Sequence, residues 1–283
     1  MIHQILEDAY PKSIKLSIPF YNSLNNFIST EEIRHEIFTT AWLQNYSNLI
    51  IPIEINSIIR KFQTTFPNRP FQNDYFCTVQ NLISKLMLLV EEPFMLSDQN
   101  IIKLDDYVNS LIQHPDYKFI SSNINFSSSE EYNFTSGYSN AYICWNDFNL
   151  IGGKFIENPS LSNLFVIKGN LIPQSESKIH NMIKSTNLKY HSIIDSNQWG
   201  PKFMKIPKEF SKVEFPCINM LCLSNSSSIV TLFQKIATNF NLKLRNKIIL
   251  MNENYAMMEA KDSLLEAYKE LEEINSKYLK LKS

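Results

Sequence analysis

Lysine and histidine set the chemistry open to this chain. Nine lysines fall between residues 154 and 212, against Glu157, Glu176, Asp195 and Glu209. Within that stretch Lys168 closes the apolar run Asn163-Leu-Phe-Val-Ile-Lys168. Lys202 and Lys205 lie in a basic, proline-marked loop that includes Trp199-Gly-Pro-Lys-Phe-Met-Lys205, and His180 and His191 flank a helix-to-strand connection. A lysine ammonium binds phosphate as a point charge, and a desolvated lysine can take a proton. A histidine titrates near neutrality and can protonate a departing phosphate oxygen. Lys168, His180 and His191 as catalytic groups, with Lys202 and Lys205 as an anion-binding pair, would suit a β-elimination on a phosphate-bearing substrate. The competing reading is a solvated lysine-rich surface, the ordinary place for this residue type.

Other chemistries find less support. Only five glycines occur, and neither G-x-x-x-x-G-K-[ST] nor G-x-G-x-x-G is present, so no nucleotide-cradling loop is expected. G-x-S-x-G, H-E-x-x-H and an EF-hand loop are also absent. Cys77, Cys144, Cys217 and Cys222 form no C-x-x-C pair and have no histidine at zinc spacing, so free, mostly buried thiols and no metal are expected. No cofactor is expected. A pI near 6.5 and only four arginines disfavour nucleic acid, although Trp199, Lys202 and Phe203 could form a stacking platform. The first residues lack a basic region followed by a long apolar core, and the longest apolar run, near Leu86–Val90, is far too short for a bilayer. A cytoplasmic protein is expected, or one exported without a cleaved signal, with no membrane contact.

The elements that would position these residues read as α+β. Residues 1–116 form a mainly helical part. Ser29-Thr-Glu-Glu32 is a capping box that opens a helix to about Tyr46, with Ile33, Ile37, Ala41 and Trp42 inward. Glu54–Phe66 and Asn73–Glu92 carry apolar residues at helical spacing. A further helix, capped by Ser97 or Asp98 and with Ile101, Leu104, Val108, Leu111 and Ile112 inward, stops before Pro115. Residues 117–252 form an α+β core, a central mixed sheet with flanking helices. Its strands are Phe119–Phe126, Tyr138–Leu150, Lys154–Ile156, Asn163–Lys168, Tyr190–Asp195, Cys217–Leu223 and Lys247–Leu250. Ser224–Ser228 reads as a turn or cap before a helix over Ile229–Phe240.

Residues 253–283 form a long amphipathic helix. Met257, Leu264, Leu271 and Tyr278 lie seven apart, and Ala260, Ala267, Ile274 and Leu281 follow each by three. This a/d stripe fits either an intermolecular seam, making residues 257–281 a route to a homo-oligomer, or a helix docked on the chain's own body.

One family resemblance follows the order of elements. Gly137-Tyr-Ser-Asn-Ala-Tyr-Ile-Cys-Trp-Asn146, Leu164-Phe-Val-Ile-Lys168, a helix, Tyr190-His-Ser-Ile-Ile194 and Asn219-Met-Leu-Cys-Leu223 follow one another in this chain. That order resembles the C-terminal core of a plant-pathogen type III effector family, whose relatives act as phosphoserine/phosphothreonine lyases in lanthipeptide-type maturation. The resemblance covers about residues 130–245. Glu214-Phe-Pro-Cys217 stands where an Arg/Asp pair would be sought, so no catalytic residue carries over.

Two functions follow as expectations. The first is a soluble binding or assembly protein with an association helix and a protein or peptide partner. The alternative is a lyase-like enzyme acting on a phosphorylated peptide or another phosphate-bearing substrate.

Overall fold

A computed structural model describes residues 5, 8–23, 28–59, 80, 83–84, 86–91, 103–125, 160–168, 202–206, 219–244 and 255–281. Two-residue strands β1 (Leu16–Ser17) and β2 (Phe20–Tyr21) precede helix α1 (Thr30–Tyr46). Strands β3 (Leu49–Ile50) and β4 (Ile53–Glu54) lie on either side of Pro52, and residues 55–59 are helical. Helix α2 (Leu104–Leu111) leads to β5 (Ser121–Asn125). Strands β6 (Ser160–Lys168), β7 (Lys202–Ile206) and β8 (Asn219–Ser226) follow, then α3 (Val230–Asn239) and α4 (Tyr255–Leu279). The class is α+β.

The main sheet runs β5-β8-β6-β7, antiparallel at the first two pairings and parallel between β6 and β7. β1 pairs with β3 and β2 with β4, both parallel. Ile50 then bridges to Phe119, just before β5.

Successive strand residues face opposite sides, and each side has its own core. Ile50 and Phe119 point into a cluster with α1, α3 and α4. Leu49, Ile51, Ile120, Leu164, Val166, Leu221 and Leu223 point into a second cluster with α2, Leu86, Leu89 and Val90. The first cluster draws on all three segments divided at 116 and 252, so the N-terminal helical stripe of α1 packs against later elements rather than forming a core of its own.

The elements depart from the sequence pattern at four places. Trp42 is exposed, not inward: at 100° per residue it lies opposite Ile33, and Glu36 and Thr40 take the inner face instead. Helix α2 begins at Leu104 after Lys103, with Asp105 and Asp106 complementing its positive end; Ser97 and Asp98 lie outside the described residues. The basic segment at Lys202 is strand β7, stabilised by pairing that single-segment periodicity does not reveal.

The fourth departure is the serine run. Ser227–Ile229 do form a 3-10 turn into α3, with Ser226 at its N-cap, but strand β8 continues to Ser226, and Ser224–Ser228 are buried. Ser121 Oγ donates to the Ser224 carbonyl at 2.9 Å and lies 3.0 Å from Ser226 Oγ, which is 2.6 Å from Ser228 Oγ. The Leu111 carbonyl at the end of α2 accepts from Ser162 Oγ at 2.6 Å and Asn225 Nδ2 at 3.0 Å. Helix ends leave carbonyls without partners in the helix, and these strand side chains supply them. The strands expected at Tyr138–Leu150, Lys154–Ile156, Tyr190–Asp195 and Lys247–Leu250 lie outside the described residues.

Candidate functional site

The basic set divides. Lys168, Lys202 and Lys205 all lie on the parallel pair β6–β7, where Lys202 pairs with Leu164, Lys205 with Ile167, and Lys168 with Ile206. Lys168 and Lys202 therefore sit four residues apart along the ladder, on the order of 13 Å between backbones. His180 and His191 lie outside the described residues. Of the cysteines, Cys222 is a buried free thiol whose ionisation is pushed well up by burial, the opposite of an activated nucleophile. Among the described residues no group of three or more His, Cys, Asp or Glu is arranged to hold a metal ion. No helix among them is long and apolar enough to cross a membrane.

The C-terminal stripe is taken up inside the chain. Leu264, Ala267, Leu271, Ile274, Tyr278 and Leu281 are buried in the core shared with α1 and α3. Tyr278 fixes the far end of α4 to the sheet: its hydroxyl donates to the Phe119 carbonyl and accepts from the Phe119 amide, both at 2.9 Å. Its ring meets Tyr117 and Phe233 edge-on, with centroids 5.1 and 5.9 Å apart. Phe240 stacks on Tyr268 at 4.0 Å. Over residues 264–281 the choice left open by the heptads is docking within the chain. These positions offer no free seam for the expected homo-oligomer, because their apolar surface already faces α1 and α3.

A knot of carboxylates lies along α1. The capping box is formed: Ser29 Oγ accepts from the Glu32 amide at 3.2 Å, and Glu32 accepts from the Ser29 amide at 2.7 Å. One turn on, Glu36 is buried and accepts from the Asn22 amide at 2.6 Å and Ser23 Oγ at 2.7 Å. Burial pushes the Glu36 carboxyl up to about 7, opposed by those two hydrogen bonds and reinforced by the like charges of Glu54 and Glu32. Asn22 Nδ2 also donates to Glu32 at 3.2 Å, and Asn56 Nδ2 to Asn22. The knot ties the chain after β2 to α1 and to the segment after β4. It is a structural latch, and its donors are spent on its own carboxylates.

The other face of α1 is open. Phe38 and Trp42 are exposed, and Trp42 meets the half-buried Tyr46 edge-on at 5.8 Å. Beside them Asn45 Nδ2 donates to Glu270 of α4 at 3.3 Å. Burial and the neighbouring Glu266 and Glu273 raise the Glu270 carboxyl. Sequence reasoning placed Trp42 inward, but 3.6-residue geometry taken from Ile33 and Ile37 turns it outward. The acids on α4 are visible only as solvated heptad positions until the two helices are set side by side.

No family model matches the chain. Among curated proteins it is similar to the tubulin gamma chain of Candida albicans, at 24% identity over 246 residues. The match covers 84% of this chain and 47% of that protein, so the chain spans about half the length of the curated relative it matches.

Proposed function

We propose that this chain is a protein-binding or assembly component that works alongside tubulin-type subunits rather than by turning over a substrate. The observation that carries the reading is the similarity to a tubulin gamma chain along 84% of the chain. The buried stripe of α4 agrees with it in one respect. That helix is a fixed strut of the body, with its apolar seam inward and most of its charges outward.

Co-sedimentation with purified tubulin, polymerised and unpolymerised, tests this. The chain is expected to pellet with the polymer in a saturable manner. A chain that stays in the supernatant at every tubulin concentration removes the reading. If it then also releases phosphate from a phosphoserine peptide, and alanine at Lys168 or Lys202 abolishes that release, the lyase-like alternative takes its place.

A further inference from the structure

We propose that the outward face of α1 and the adjoining acidic edge of α4 form a docking surface for a cationic amphipathic segment of a partner protein. The inference deepens the binding or assembly reading and rests on it. Phe38, Trp42 and Tyr46 recur at every fourth residue, so they lie in one row with neighbours about 5–6 Å apart. Trp42 is 42% exposed and Phe38 36%, although Trp and Phe are the side chains with most to gain from burial.

The row has a charged border. The Asn45–Glu270 hydrogen bond brings α4 against its C-terminal half. Glu266, Glu270 and Glu273 follow each other at four and three residues, so they share one edge of α4. Lys269 lies among these three acids, and Lys277 on the same edge is matched by Asp116 at 2.9 Å. Lys118 donates to the Gln44 carbonyl of α1 at 2.7 Å, and at the start of α1 Arg34 is matched by Glu31 at 3.5 Å. Three acids thus face two cations, Lys269 and Lys118. The border is net acidic.

Aromatic faces beside acids select the occupant. A lysine or arginine gains from both the carboxylates and the π-face of Trp42. Apolar residues on the same segment cover Phe38 and Tyr46. An anionic membrane or nucleic acid is repelled by the same edge. An amphipathic helix laid on such a surface presents anchors at i, i+3, i+4 and i+7.

Calorimetric titration of the full chain with a synthetic helical leucine–lysine peptide tests this, with the matching leucine–glutamate peptide as control. The leucine–lysine peptide is expected to bind and the control to fail. Trp42→Ser and Phe38→Ser should each weaken binding ten-fold or more with unchanged circular dichroism. Glu270→Lys combined with Glu273→Lys should reverse the preference toward the leucine–glutamate peptide. Equal binding of both peptides, or unaltered binding by the Trp42 and charge-reversed variants, overturns the proposal. So does a light-scattering result in which the chain self-associates through this face and Trp42→Ser dissolves the oligomer.

Tubulin co-sedimentation of the same variants separates the two claims. Peptide binding that ignores Trp42, with sedimentation intact, removes the surface alone. Charge-selective binding that needs Trp42, with no sedimentation, removes the tubulin-type partner and keeps the surface.

Discussion

Helices α1 and α4 lie side by side and share one apolar core, but α1 buries polar side chains as well. Helix α4 puts leucine, isoleucine, alanine and tyrosine inward and leaves most of its charges outside. Helix α1 buries Glu36 and Thr40 beside Ile33 and Ile37, and leaves Phe38 and Trp42 in solvent. The first is held by apolar burial, which has no direction. The second is held in part by hydrogen bonds aimed at named donors. This makes α4 intolerant of lost volume, and α1 sensitive to the protonation of two carboxyls, Glu36 and Glu32.

The largest way to break the comparison is to remove volume from α4. Leu271 is fully buried between α1 and α3. Leu271→Ala should cost about 2–5 kcal/mol in urea unfolding, with the slope against urea unchanged. The pair Leu264→Lys with Leu271→Lys, which would turn an intermolecular seam into folded monomers, should instead unfold the chain. A folded double variant would show that these positions are not the core contact assigned to them.

This contrast also sets what the sequence made legible. The stripe of α4 and the capping box of α1 were readable because each is encoded locally, one by a seven-residue period and the other by a three-residue spacing. Strands β6 and β8 were readable from their apolar runs, and β5 from the extended pattern of Phe119–Phe126. The parallel pairs β1–β3 and β2–β4 were not, since two-residue strands carry no periodicity and their partners lie over thirty residues away. Burial of Ser121, Ser226 and Glu36 was also hidden. A polar residue reads as exposed until the partner that satisfies it is known, and here the partners come from other segments. The α1–α4 face was hidden for the same reason: its two halves are over two hundred residues apart in the chain.

The second break concerns Glu36. Its folded carboxyl is raised from 4.5 to about 7, so the folded state holds a proton that the unfolded chain gives up. That contribution is fully present below about pH 4.5 and is lost as the pH rises through 7. At about 1.4 kcal/mol per pH unit, it is worth about 3 kcal/mol across the window. Glu36→Gln keeps an acceptor for the Asn22 amide and turns an amide donor toward Ser23 Oγ. Unfolding free energies measured from pH 5 to 8 should fall less steeply in Glu36→Gln than in the parent, and at pH 8 the variant should be the more stable. Parallel curves for the two proteins would remove the latch from the pH response.

The smallest effect sharpens the comparison within α1 itself. Ser29 is exposed, and its side chain serves one amide of the first turn. Ser29→Ala should cost about 1 kcal/mol at neutral pH, the usual worth of an N-cap. Its partner Glu32 responds to pH in the opposite sense to Glu36, one turn away. Hydrogen bonding from the Ser29 amide, then from its hydroxyl, holds the Glu32 carboxyl below its ordinary value. The stability it lends is therefore present above the unfolded carboxylate range and lost as the pH falls through the folded value. Two carboxyls on one helix thus tilt the curve in opposite directions: Glu32, at the surface, gains from its charge, and Glu36, in the core, loses by it. A double-mutant cycle of Ser29→Ala with Glu32→Gln, run at pH 4 and pH 7, should give its larger coupling at pH 7. Coupling that is absent at both values would mean that the cap and the carboxylate act separately, leaving the acid side of the curve to other groups.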